Sequence, residues 1–381
     1  MSRSASVPIR RLWRVLFAGS LLVIAASGPH AATGESYSVK GDDVALYNLA
    51  GRVQLDPGPA GAVTVQVARG GRDAAQLKVQ TGTLGSRQTL RVIYPGNHIV
   101  YRSMEHSSRS QMTVRDDGTF GDDGDRAGWG GHNVTISNSG GGLEAWADLT
   151  ILVPRGQKLI LRLGAGSVTA TNLDGHILLE TSSGPVVSRG SRGWLSVDTG
   201  SGTVSVKDSQ GDVTVDTGSG DIDLTGARGG NVSLDTGSGR VSVTDARVDE
   251  LKADTGSGEV DLNNIQSPSV SVDTGSGGVE VDLAGDIQSL TVDTGSGDVN
   301  LTVPRSLGAE FDLQSSSGNI EIGVPHEATH IESDRARGRI GDGRGQIKVD
   351  TGSGSVQIRP RTSSGASLDL GLGVFMNRTL E

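Results

Sequence analysis

The chain has 381 residues, 58 of them glycine and none cysteine, with only 3% aromatic residues and a formal charge of −10. Lack of cysteine excludes a disulfide framework and a lipid-modified N-terminal cysteine, and glycine without a three-residue period excludes collagen, while regular Val and Ile argue against disorder. Removing the four arginines of the N-terminal leader takes the charge from −10 to −14, a balance that repels nucleic acid and anionic lipid and attracts divalent cations or basic surfaces.

Residues 1–32 read as a secretory signal peptide. Arg3, Arg10, Arg11 and Arg14 form a basic start, and residues 16–26 an apolar stretch too short to span a bilayer comfortably. Ala31 and Ala32 offer a cleavage point, although Pro29 or His30 three residues before the cut matches poorly, so an uncleaved anchor is the alternative. No later segment is apolar enough to cross a membrane.

Residues 36–153 are expected to form an N-terminal β segment. Its best runs are Val44-Ala45-Leu46-Tyr47, Val63 to Val67, Leu90 to Tyr94 and Leu149 to Val153, with apolar residues in strand-like patterns. The glycine-rich stretch from Asp116 to Gly142 reads as a long polar surface loop. Trp129 inside it and Trp146 after it are each expected to pack on the first coil or lie exposed. These runs leave open whether the strands form a sandwich of their own or are the first coils of a solenoid.

Residues 154–360 repeat one phrase. It is clearest as Val197-Asp198-Thr199-Gly200-Ser201-Gly202 and returns from Val215, Leu234, Ala253, Val272, Val292 and Val349. Weaker copies place corner glycines at Gly166, Gly184, Gly318 and Gly338, giving about eleven units of 18–20 residues, the mark of a repeat architecture. Within a unit, apolar residues alternate on both sides of the glycines, as in Leu195/Val197 and Val204/Val206. Period-two alternation predicts two short strands joined by two corners, hence an all-β fold: a parallel β-solenoid of in-register coils roughly 4.8 Å apart and on the order of 50 Å long. A single coil cannot bury its own apolar side, so each depends on its neighbours. Residues 361–381, with Leu368, Leu370, Leu372 and Phe375, are expected to cap the last coil; a partner-binding tail is the alternative.

The leader, the β segment ending in Leu152-Val153-Pro154 and the serial Gly-Ser-Gly phrases together resemble the bacterial candidate adhesin family, a domain of unknown function numbered 4097, over roughly residues 40–360. That resemblance implies an exported cell-envelope protein, in the periplasm or at the cell surface, with an adhesive or surface-interaction role. It brings no catalytic residues and no cofactor. The uniform Asp-Thr-Gly-Ser-Gly phrase and the loop around Asp122 and Asp123 depart from it.

Three constellations bear on chemistry. Asp198, Asp216, Asp235, Asp254, Asp273 and Asp293, with Asp350 after a gap, would align as a column of like charges. The expected relief is an Asx-turn, each carboxylate accepting hydrogen bonds from corner N–H groups; the alternative is a cation-binding column, with calcium the ion it would suit. After each corner, Arg240 falls between the acids Asp221 and Glu259. His326-Glu327-Ala328-Thr329-His330 fits a zinc-protease pattern, but Pro325 and flanking strands oppose the helix that chemistry needs. Asp261, Glu280 and Glu321 would be neighbours on an outer strand face, the arrangement a polysaccharide-cleaving enzyme would want, though exposed acids are usually just solvated.

The function expected from the sequence is non-enzymatic: surface interaction with a cell-surface or envelope component, protein or glycan, through a repetitive acidic face of a monomer. A self-assembling envelope scaffold and a polysaccharide-acting enzyme are the alternatives.

Overall fold

The computed structural model describes residues 34–104, 109–121 and 130–361. The expected leader, Asp122, Asp123, Trp129 and the tail from residue 362 onward lie outside them.

The repeat forms a parallel β-solenoid. In each rung a longer strand carries Val-Asp-Thr, the glycine corner comes next, and a shorter strand runs back along a second side. Val197 lies in register between Leu179 and Val215, and the column continues through Leu234, Ala253, Val272 and Val292. These residues are buried, as are Val204, Ile222, Val241, Val260, Val279 and Val299 on the facing sheet. Each buried valine or leucine contributes about 1.5–3 kcal/mol, but only while the rungs above and below cover it.

A third side, beyond the two strands expected, closes each coil. Its corner places Asn172, Asp208, Asp245 and Asn264 at φ between 52° and 58°. Asn and Asp tolerate this left-handed conformation because their short polar side chains bond locally. Past the corner, single parallel bridges link Gln210, Arg228, Arg247 and Gln266 from rung to rung.

The N-terminal strands begin the same stack. Strand Asp43–Pro57 runs in register against Gln157–Thr171 along both sides of the corner, with Gly51 beside Gly166. Strands Arg87–Ile93 and Trp146–Val153 extend the two sheets by one more parallel strand each. Antiparallel strands Lys78–Leu84, Val63–Gly70 and Glu35–Val39 then finish that end.

The stretch expected as a long polar loop is partly ordered structure. Strand His132–Ser137 pairs with Arg109–Val114 and His98–Val100 in a separate three-stranded sheet, with Val134 and Ile136 buried. This small sheet sits over the first corner: Ile136 Cδ1 and Met112 Cε come within 2.9 Å of where a side chain on Gly164 would start. Trp146 packs its ring against Tyr101, centroids 5.8 Å apart.

The C-terminal end departs from sequence order. Strand Gly345–Thr351 inserts between Ser289–Thr294 and Ala309–Ser315, and Val356–Pro360 inserts between Val299–Val303 and Ile320–Ile322. The chain therefore skips a rung at residues 304–308, lays down the last coil, and returns to fill the gap. Gly338 is not a corner. It lies in strand Arg335–Ile340, antiparallel to Ala309–Ser315, and the hairpin with His326–Ile331 ends that sheet. The coil built on Gly51 takes the place assigned to Gly338, so eleven rungs still stack.

Candidate functional site

The aspartates occupy the outward positions of the longer strand. Asp198, Asp216, Asp235, Asp254, Asp273 and Asp293 pair rung to rung, and Asp350 comes directly after Asp293 because of the inserted coil. Glu180 precedes Asp198 in the column, and Arg162 precedes Glu180. At the far end Gln314 is next to Asp350, and Arg335 lies beyond it. A run of acids thus ends at an arginine on one side and, one neutral rung away, at an arginine on the other.

The expected Asx-turns do not form. Strand parity turns the carboxylates outward, and among the described residues no hydrogen bond or ion pair reaches any of the seven aspartates. The corner is held by the next residue instead. Thr255 Oγ1 donates to Gly239 O of the preceding rung at 3.0 Å and accepts from Gly258 N at 3.1 Å. Thr236, Thr274, Thr294 and Thr351 donate to the equivalent carbonyls at 3.0–3.1 Å. These threonines are buried, as are Thr199 and Thr217, which point inward without this bond; from Thr236 onward the phrase divides its labour: threonine inward for the corner, aspartate outward to solvent.

Unrelieved charge shows in the proton equilibria. Desolvation first, then the neighbouring carboxylates Asp235 and Asp273, raise the pKa of Asp254; Asp235 is raised by desolvation and Asp216. Asp198 is raised by desolvation and Asp216, with Arg162 pulling the other way. A carboxyl raised in the fold binds its proton better folded than unfolded. Its penalty is therefore full above the folded pKa and is relieved as pH falls through the window between folded and unfolded values. Two carboxylates one rung apart repel by about 1 kcal/mol in water, less with salt. Asp254→Asn, which removes two such contacts, is expected to raise the melting temperature at neutral pH and low salt, with the gain shrinking as salt is added. A lower melting temperature would mean that the carboxylate holds the corner after all.

The remaining candidates are dispersed. Asp261 does neighbour Glu280, but Asn300 and Gln357 stand between Glu280 and Glu321, so the expected three-residue group is not assembled. Gln357 Nε2 donates to Glu321 at 2.7 Å. Arg240 does separate two acids, its guanidinium 2.6 Å from Glu259 and its backbone N–H on Asp221 Oδ1. His326 to Ile331 is a strand with a register shift before His330. Four residues of strand span about 13 Å, too far for His326 and His330 to share a metal as they would on a helix. Among the described residues no three His, Asp or Glu side chains converge as a metal cage. Trp194 stacks on His176 with ring centroids 4.2 Å apart.

Arg162 and Glu180 were not singled out from the sequence. The Arg162 side chain is only 4% exposed and its Nε lies 2.6 Å from Glu180; Nη1 donates to Phe120 O at 2.8 Å, and the guanidinium sits over the Tyr47 ring. Both residues stand one and two steps of 18 before Asp198, so the period itself would have placed them in the column.

A family profile, Toastrack DUF4097, matches residues 147–359. The chain belongs to the Toastrack DUF4097 family. The Toastrack match takes in every rung that carries the glycine phrase and leaves out strand Asp43–Pro57, which stacks on the first of them. The family read from the repeats is thereby established. No curated protein matches the sequence. Among solved structures, a candidate cell adhesion protein from Clostridium sporogenes is 9% identical, covering 86% of this Toastrack chain and 100% of that one, with a TM-score of 0.19; at that level the likeness carries no functional argument. No helix among the described residues is long and apolar enough to cross a membrane.

Proposed function

We propose that this protein is a non-enzymatic, exported cell-envelope module that engages a surface or envelope component through the acidic side of its solenoid. The observation that supports this reading is the column itself: seven exposed carboxylates on consecutive rungs, none paired with a cation among the described residues. Such a row costs stability, and the corner does not use it, since no corner N–H bonds to these aspartates and in five of the seven rungs threonine holds the corner. A feature that the fold pays for without using is best accounted for by a partner.

The mechanism is multivalency. Each carboxylate gives a weak, salt-sensitive contact, but identical contacts at a fixed rise along a stiff rod make later ones effectively intramolecular once the first has formed. The partner's contacting groups are therefore cationic and closely spaced.

The test is binding of the mature protein to a surface carrying lysine at graded density. Retention is expected to rise more steeply than density and to collapse at high salt. A variant with Asp216, Asp254 and Asp293 all changed to Asn should lose most of it. If that variant is retained as well as the wild type, the acidic column is not the interaction surface.

A further inference from the structure

The two sheets of the solenoid end unequally at the C-terminal end. On the shorter-strand side the last strand among the described residues is Ile320–Ile322, beside Val356–Pro360. On the longer-strand side the sheet runs two strands further, through Arg335–Ile340 and His326–Ile331. The core side of that overhang therefore faces no strand among the described residues. Leu313 points to the core, its partner Ala336 shares that face, and so does the partner of Ala336, Ile331. Leu313 and Ala336 are buried, yet Ile331 is 59% exposed, the one large apolar side chain of the described residues left in solvent. Ile320 and Ile322 are only partly covered as well. Their strand also ends on an open edge. Asn319 O accepts from Val356 N–H, and Gly323 N–H donates to Ile358 O. A parallel ladder bonds through alternate residues, so the backbone of Ile320 and Ile322 turns to the other side. There Ser333 O takes the N–H of Ile320, and nothing among the described residues takes that of Ile322.

We propose that residues 366–376 of this chain dock here as one further strand, on the open edge of Ile320–Ile322 and across from the overhanging hairpin. Ala366, Leu368, Leu370, Leu372, Val374 and Met376 recur at every second position, the pattern of a strand with one side to bury. That side fits Ile331 and the partly covered Ile320 and Ile322; the other carries Ser367, Asp369 and two glycines, with Phe375 its one large apolar residue. The chain starts from the right place. Arg361 follows the strand beside Ile320–Ile322 and is tied down, its N–H on Val303 O at 2.8 Å and its guanidinium 2.8 Å from Asn264 and 3.2 Å from Asp282. The open position is two strand spacings away, about 10 Å, and residues 362–365 reach about 13 Å. Thr362-Ser363-Ser364-Gly365 suits a turn back along that edge. A strand tethered by so short a link outcompetes the same strand of a second copy. The remaining edge, His326–Ile331, carries a register shift and is a poor template for pairing. Docking therefore closes this end of the stack, and the acidic side belongs to a single rod, not to a filament. The inference stands whether or not that side is an interaction surface.

The chain has no cysteine, so Ile331→Cys puts a single thiol on the mature protein, and its rate of reaction with a maleimide reads the cover. Adding Leu368→Asp, Leu370→Asp and Leu372→Asp is expected to speed that reaction about tenfold. A thiol from Ser219→Cys, on a distant corner, should react at one rate with or without them. Hydrogen exchange gives a second reading that leaves Ile331 in place: the Ile322 amide should exchange about tenfold faster in the chain carrying the three aspartates than in the wild type. Equal rates with and without the aspartates, in either measurement, would overturn the docked strand. Protection that fades on dilution would mean that the segment comes from a second copy, and it would overturn the closed rod as well.

Discussion

Gly277→Ala should collapse the middle of the rod, and the same change one residue later, Gly278→Ala, should do no harm. A side-chain carbon on Gly277 would sit 1.7 Å from the carbonyl oxygen of Gly258 in the preceding rung, whereas on Gly278 its nearest neighbour is Asp298 O at 3.7 Å. The first oxygen is backbone and cannot turn aside. The same close approach recurs at Gly258 on Gly239 O and at Gly297 on Gly277 O, so the glycines of the corner rest on one another rung after rung. Making room means separating two rungs and losing the parallel bonds between them. The expected cost is about 3 kcal/mol or more, and because rungs are stabilised only by their neighbours, the loss spreads along the stack. At Gly278 the methyl group meets ordinary van der Waals distance. There the alanine restricts the unfolded chain and is expected to add up to about 1 kcal/mol. Urea unfolding followed by circular dichroism separates the two. Equal midpoints for both variants would show that the corner does not rely on this contact.

The contrast also marks how far the sequence could be read. Spacing and alternation were enough for the solenoid, because Val197, Val215 and Leu234 share both a period and a parity. The same parity places Asp198 outward and Thr199 inward. Strand position outweighs the turn chemistry of aspartate, and the expected Asx-turn therefore does not form. The rung at residues 43–57 was hidden because Leu49-Ala50-Gly51 carries the corner glycine with neither the serine nor the first glycine of the phrase, whereas Gly164-Ala165-Gly166 keeps that first glycine. The small sheet over the first corner was masked by its glycine and charge content, which drowned the alternation at Val134 and Ile136. Asp198 and Arg162 were legible as column members. That Met112 would come to lie beside this end of the column was not, since it depends on a meeting of segments about fifty to ninety residues apart. The order of the last rungs is a different kind of failure. Constant spacing assumes that consecutive units are neighbours, and nothing in a spacing shows a skipped rung. The signal lay in the strength of the phrase: Asp350-Thr351-Gly352-Ser353-Gly354 matches the copy at Asp293, while Gln314-Ser315-Ser316-Ser317-Gly318 is degraded as an end coil can be.

That inserted rung leads to the second large effect. Ending the chain at residue 344 should disorder everything after residue 304, although only residues 345 to 381 have been removed. Strand Gly345–Thr351 is the one that joins Ala309–Ser315 to the body of the rod, and Val356–Pro360 does the same for Ile320–Ile322. Without them, residues 309–340 keep only the antiparallel pairings among themselves. Such a fragment is a short sheet with one face stripped of its cover and is at best marginally stable. The lost rung also removes Ile347, Val349, Val356 and Ile358, all buried and worth about 1.5–3 kcal/mol each. Residues 309–340 could be expected to slide up and pair with Ser289–Thr294 in place of the missing strand. That register would set Gln314 against Asp293 and Ser315 against Thr294, giving the poorer corner phrase the central position, and it would require the short connection at residues 304–308 to span one rung less than it does now. Limited proteolysis with mass spectrometry reads the outcome directly. Chains ending at 303 and at 344 are expected to give the same protected core, and the full chain a protected segment reaching to Arg361. Undiminished protection of residues 309–340 in the chain ending at 344 would mean that the rungs stack in sequence order, and the inserted coil would have to be abandoned.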